Sequence, residues 1–199
     1  MVDNFELIRK LLTFNSEDEF YFVQILQRKK DNPNSINGSN NSSRLIKAYY
    51  IDSLEKFDKQ KEEMIFFANY FNARVGINLN KRSYYKTAFN TLKHIAEQMS
   101  CKNFKDVKRA YNTSCGIYNS VEDKIWLLDF DYIPISIDWE IELKGDLSIY
   151  QPIGDKIIAF IPSKTGVHVI TKPFDTRIFN KNFPDVEIHK NNPTNLYCP

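Results

Sequence analysis

Hydrophobic and polar positions follow two periods along this chain, and the switches between them mark out its elements. Glu19 to Arg28 and Arg44 to Ile51 are dense in aromatic and β-branched residues and predict two strands. The Asn- and Ser-rich stretch between them, residues 29–43 with Pro33 and Gly38, predicts the loop of a hairpin. Behind an Asp52 or Ser53 cap the period becomes helical. Leu54, Phe57, Met64, Ile65, Phe67 and Ala68 form an apolar face that lasts to about Asn72. Residues 73–80 alternate as a third strand. Residues 83–99 are helical again, with Ala88, Leu92, Ile95, Ala96 and Met99 on one stripe. Short helices are expected at 3–13 and around 104–111. In the second half, strands are expected at 124–131, 156–161, 167–171 and 185–189. A turn at 162–166 and a helical turn at 176–182 punctuate them. Residues 136–150 fit either an extended segment or a helix. The order predicts an α/β or α+β protein, one unit spanning 1–199 with coupled subdomains at 1–115 and 120–199.

Composition narrows the class. A chain of 199 residues can bury a real core, and 42% hydrophobic with 26% charged residues is ordinary for a globular protein. The net charge of +2 means that nucleic-acid binding would need a local basic patch rather than a global field. No apolar run reaches membrane-spanning length, and the first residues lack a basic segment followed by an apolar one. Cys101, Cys115 and Cys198 are an odd count without Cys-x-x-Cys spacing, which argues against a disulfide framework or a zinc ribbon. The expected setting is the cytoplasm, without a membrane partner.

Three features of the second half carry candidate chemistry. The apolar run Ile125 to Leu128 ends in Asp129-Phe130-Asp131. In a strand the two aspartates share a face, with Cα atoms roughly 6.5 Å apart. Two such carboxylates repel unless a cation or basic groups sit between them; the plainer alternative is a strand end with both solvated. The second feature is Ser163-Lys164-Thr165-Gly166-Val167-His168, a small basic turn whose N–H groups and side chains suit phosphate oxygens. The third is Glu187 on a late strand, followed by His189 and Lys190. Glu187 and Lys190 read equally well as a surface ion pair, and His168 alone reads as a satisfied core or surface histidine. Lys81 and Arg82, between a strand and a helix, suit either a template phosphate or a solvated helix N-terminus.

These motifs, in this order, resemble the archaeo-eukaryotic primase superfamily, the primase-polymerase fold. Its first motif is Asp-hydrophobe-Asp, here Asp129-Phe130-Asp131. Its second is small-x-His, here Gly166-Val167-His168, with Ser163 and Lys164 in the phosphate-binding turn. Its third is a late acidic residue, here Glu187 where the family usually has Asp. The resemblance covers residues 124–192 and extends loosely upstream. It implies an N-terminal α/β module packed on a C-terminal RRM-like sheet that carries the acidic site. It implies a metal-dependent DNA primase or polymerase that adds nucleotides from triphosphates to a template-bound primer. Asp129, Asp131 and Glu187 would bind Mg²⁺ or Mn²⁺ and serve catalysis. Ser163, Lys164, His168 and Lys190 would bind the nucleotide, and Lys81 and Arg82 the nucleic acid. Single-stranded or primer-template nucleic acid, and a helicase or other replication protein, are the implied partners. The Glu187 departure and the modest charge also suit a non-catalytic nucleic-acid-binding accessory protein that keeps the fold. A phosphatase-type site fits less well, because Asp131 is followed by Tyr132-Ile133-Pro134 rather than a small turn. A rolling-circle nuclease is disfavoured by the lack of a second histidine in His168-Val169-Ile170.

Overall fold

A computed structural model describes all residues except 35, 36, 40, 41, 119–121, 123 and 132–135. The chain begins with β1 (Val2–Asp3) and α1 (Phe5–Arg9), then β2 (Glu19–Arg28) and β3 (Ser43–Ile51), the expected hairpin. Ser53 accepts a hydrogen bond from the Lys56 N–H at 3.2 Å and starts α2 (Leu54–Phe71). Asn72 ends it in the left-handed conformation, φ 45°, a turn that asparagine tolerates better than most residues. β4 (Arg74–Ser83) runs three residues beyond its expected end, directly into α3 (Tyr84–Ser100). Ser83 caps α3 by accepting from the Lys86 N–H at 3.0 Å. A single 3₁₀ turn at 107–109 and α4 (Ala110–Ile117) follow.

The second half runs β5 (Trp126–Asp131), α5 (Ile137–Ser148), β6 (Ile157–Pro162), β7 (Gly166–Thr171), α6 (Thr176–Asn182), β8 (Glu187–His189) and β9 (Thr194–Cys198). The ambiguous stretch 136–150 is therefore helical, and Ser136 decides where it starts by accepting from the Trp139 N–H at 3.2 Å. Helix α1 is shorter than its apolar pattern suggested at both ends: Asp3 is taken up in β1, and the helix stops at Arg9 with Lys10 as its C-cap. Asn4, buried between them, donates its amide to the carbonyls of Pro162 at 2.8 Å and Asn195 at 2.9 Å.

Among the described residues, the architecture is mixed α/β, with six α-helices and two antiparallel sheets. The strand orders are β1-β9-β4-β2-β3 and β6-β7-β5-β8. The halves 1–115 and 120–199 hold most of one sheet each, but β9 crosses back to pair with β4 and β1. Alternation along β5 decides the layering. Leu128 and Phe130, with Val167 and Val169, pack against Leu143 and Leu147 of α5 and Phe179 of α6. Leu127, with Ile161 and Ile170, packs instead into the core of the first sheet, against residues that include Val75, Ile77 and Leu196. Asp129 and Asp131 share the parity of Leu127, so they lie on the side of the second sheet that faces the first. Among the described residues, no helix is long and apolar enough to cross a membrane.

Candidate functional site

Directly opposed residues in an antiparallel ladder point to the same face with Cβ atoms about 5 Å apart. Asp129 on β5 stands opposite His168 on β7 and opposite Glu187 on β8. The three motif residues thus form one row, Glu187–Asp129–His168, on the inter-sheet face. Asp131 ends β5 two residues along, opposite Gly166.

Gly166 is dictated by this pairing. A Cβ built on it would lie 1.9 Å from the Phe130 carbonyl oxygen, and no side chain fits there. The turn before it is closed by two bonds. The Gly166 N–H donates to the Ser163 hydroxyl at 3.0 Å, and the Ser163 N–H donates to the Gly166 carbonyl at 2.9 Å. Thr165 donates its hydroxyl to Asp131 at 2.6 Å.

His168 is buried, with Nδ1 2.9 Å from the Thr194 hydroxyl of β9 and Nε2 3.5 Å from Asp129 Oδ1. Burial pushes its pKa down to about 4, and His189 and Arg74 add to this against the pull of Asp131. The imidazole is therefore neutral at pH 7, and its approach to Asp129 is a polar contact rather than an ion pair. Burial also raises the Asp129 carboxyl above its ordinary range. Asp131 and Glu187 push the same way, against His189 and Arg28. Burial and the neighbouring carboxylates thus outweigh the nearby cationic groups at Asp129. Glu187 is 77% exposed, and its carboxylate lies 3.2 Å from His189 Nε2.

Lys164 reaches across to the first sheet, where its ammonium is 3.3 Å from Asp31. Asp31 in turn takes two bonds from Arg74, both 2.7 Å. Asp31, Arg74 and Arg28 come to the neighbourhood of the row without having been expected there, and His189 of β8 had been given no role. Asp31 sits in a polar loop that carries no pattern, and Arg74 and Arg28 lie on strands of the first sheet that only the packing of the two sheets brings near.

Three expected site residues are not brought to the row. Lys190 lies with its ammonium 4.9 Å from the ring centre of Trp126, on the helix-covered face of the second sheet. Lys81 is paired with Glu19 at 2.7 Å. Arg82 is fully buried, which corrects its reading as a template contact. Because β4 continues to Ser83, Arg82 is a strand residue, with its guanidinium turned inward. It donates to the carbonyls of Cys115, at 2.8 Å, and Asn80, and to the Asn191 amide oxygen at 3.1 Å. Burial pulls its pKa down to about 10.

No protein-family model matches this chain, and no curated protein or solved structure matches it.

Among the described residues, no three His, Cys, Asp or Glu side chains are drawn together into a ready-made metal cage. The donors that are present suit a hard cation nonetheless. Mg²⁺ in phosphate chemistry is held by one or two carboxylates together with substrate phosphate oxygens, not by a dedicated all-protein cage. Asp129 and Asp131 are two such oxygen donors on one face, and a cation beside them would offset the burial and the like-charge repulsion that raise the Asp129 pKa.

Proposed function

We propose that this chain is a primase-polymerase-like nucleotidyltransferase, with the first sheet as an N-terminal α/β module and the second as the RRM-like sheet. The observation that carries the reading is the single row Glu187–Asp129–His168 with Asp131 beside it, facing the other sheet. Asp129 and Asp131 would hold Mg²⁺ or Mn²⁺, which supplies charge stabilisation to the transferring phosphoryl group. Glu187, with one more methylene than the usual aspartate and an exposed carboxylate, would join once the primer end is in place. If the Thr194 hydroxyl donates to His168 Nδ1, the proton sits on Nε2, which then donates to a phosphate oxygen. Lys164 would exchange Asp31 for the distal phosphates, with Arg74 keeping Asp31 compensated.

One observation favours a second reading, a nucleic-acid-binding accessory protein without turnover. The Ser163 hydroxyl and the Lys164 ammonium are both already engaged within the protein.

Primer extension on a single-stranded template with nucleotides and Mn²⁺ separates the two. The enzyme reading expects extension that Asp129→Ala eliminates, and it expects Glu187→Asp to retain activity while Glu187→Ala loses most of it. Nucleic-acid binding without synthesis under any metal and template would establish the accessory reading instead.

A further inference from the structure

Helix α3 is amphipathic in the unusual sense that its polar side faces the protein. Thr87 is buried, and Thr91, His94 and Gln98 are half-buried beside it. Thr91 donates its hydroxyl to the Thr87 carbonyl at 2.7 Å, and His94 lies 3.9 Å from Glu97. The apolar side faces solvent. Tyr85, Phe89, Leu92 and Met99 are 67, 57, 63 and 53% exposed, with Ala88 and Ala96 exposed between them. At about 100° per residue these side chains and half-buried Ile95 fall in one stripe about 120° wide, centred on Leu92. No charged residue interrupts it, and Lys93 at its border is 3.9 Å from Glu97 on the same helix.

The stripe is nearly the same read in either direction from Leu92. The residues at seven positions either way are Tyr85 and Met99, at four Ala88 and Ala96, and at three Phe89 and Ile95. Large faces large and small faces small. Laid antiparallel on a copy of itself, the stripe sets Tyr85 against Met99 and Ala88 against Ala96, with Leu92 on the axis. A two-fold contact requires this self-complementarity, whereas an unrelated partner would not. The paired alanines let the two helix backbones approach closely. The exposed parts of the large side chains amount to roughly 400 Å² of apolar surface, since a buried aromatic covers 150–250 Å². That is close to the apolar share of the ~800 Å² per partner that a standard interface buries.

We propose that α3 is the interface of a two-fold dimer of this chain, with the two helices antiparallel and crossing at Leu92. The inference does not depend on the nucleotidyltransferase reading.

Sedimentation velocity of the full chain across a hundredfold concentration range should show a species of twice the 23.4 kDa chain mass. Leu92→Glu places two carboxylates at the axis and should weaken the dimer about 30-fold or more, as expected for a central interface residue. An unchanged circular dichroism spectrum would show that the variant is folded. Register is read by cross-linking. Leu92→Cys in a Cys101→Ser background should be joined to its copy by a short thiol cross-linker. In wild type the exposed Cys101 should not be, because antiparallel helices crossing at Leu92 hold the two Cys101 residues roughly 27 Å apart. A monomer throughout, a dimer indifferent to Leu92→Glu, or cross-linking through Cys101 but not through position 92 would each overturn the proposal. The last would mean parallel helices. Monomers that associate only in the presence of another protein, a lipid vesicle or nucleic acid would overturn it equally.

Discussion

Asp129 stands on the costly side of its own electrostatics. Its carboxylate is half-buried next to Asp131 and opposite Glu187, and the folded protein gains nothing from that charge. In EDTA, Asp129→Asn should therefore raise Tm by about 2 °C, the change that ~1 kcal/mol makes in a chain of this size. The same variant should lose Mn²⁺-dependent primer extension. A stabilising substitution that removes activity is the expected mark of a functional residue, and a fall in Tm would count against the repulsion. Gly166→Ala should have the opposite character. The new methyl group meets the Phe130 backbone, which cannot move aside without breaking the β5–β7 ladder. A loss of about 3 kcal/mol is expected, a Tm fall on the order of 10 °C by differential scanning fluorimetry. These two positions show why part of the site was readable beforehand. Asp129, Asp131, Gly166 and His168 lie on strands whose period puts them on one face, so pattern and chemistry agree. Arg82 was not readable, because a strand end shifted by three residues turns a solvent-facing cation into a buried one.

Elements tied through a shared carboxylate can be tested in the same way. Asp31, just after β2, is held by Arg74 at the start of β4 and by Lys164 from the β6–β7 turn. Burial would raise the Asp31 pKa, but the bonds and charge of Arg74, together with Lys164, outweigh it and hold the carboxyl below 3.8. A lowered folded-state pKa contributes stability that is complete above the unfolded value and fades as pH falls through the folded one. Asp31→Ala should cost about 2 kcal/mol at pH 7, a Tm loss of about 4–8 °C, because it leaves Arg74 half-buried and unpaired. The difference from wild type should shrink below pH 3.8 in thermal melts, and a difference that grew there would contradict the pairing. Helices α2 and α3 and strands β2 to β7 follow from period and caps alone. Strand β9 does not. Its short run after Pro193 has no partner nearby in sequence, and it becomes a strand by pairing with β4 on one side and β1 on the other.

On the scale of the whole molecule, several polar contacts join the two sheets, and one of them reaches the row. Thr194 of β9, in the first sheet, holds His168 of β7, in the second. Thr194→Val keeps the shape and removes the hydroxyl. The buried His168 Nδ1 loses its partner, so Tm without ligand should fall by a few degrees, and if His168 contacts the nucleotide, affinity for triphosphate with Mn²⁺ should fall about tenfold by calorimetry, the change that ~1.4 kcal/mol makes. Unchanged affinity would take the ring out of the nucleotide's reach. The position of β9 has a further consequence, for the order of events while the chain is being made. β4 and β2 can pair soon after residue 83 emerges, yet the other edge of β4 waits for residues 194–198. Until then Val75, Gly76 and Ile77 present unpaired backbone beside apolar side chains, the kind of edge on which unfinished chains stick to one another. His168 likewise lacks its hydroxyl partner until synthesis has passed Thr194. A nascent chain is thus vulnerable along β4 while residues 84–193 are being made, and β9 both seals that edge and completes the row.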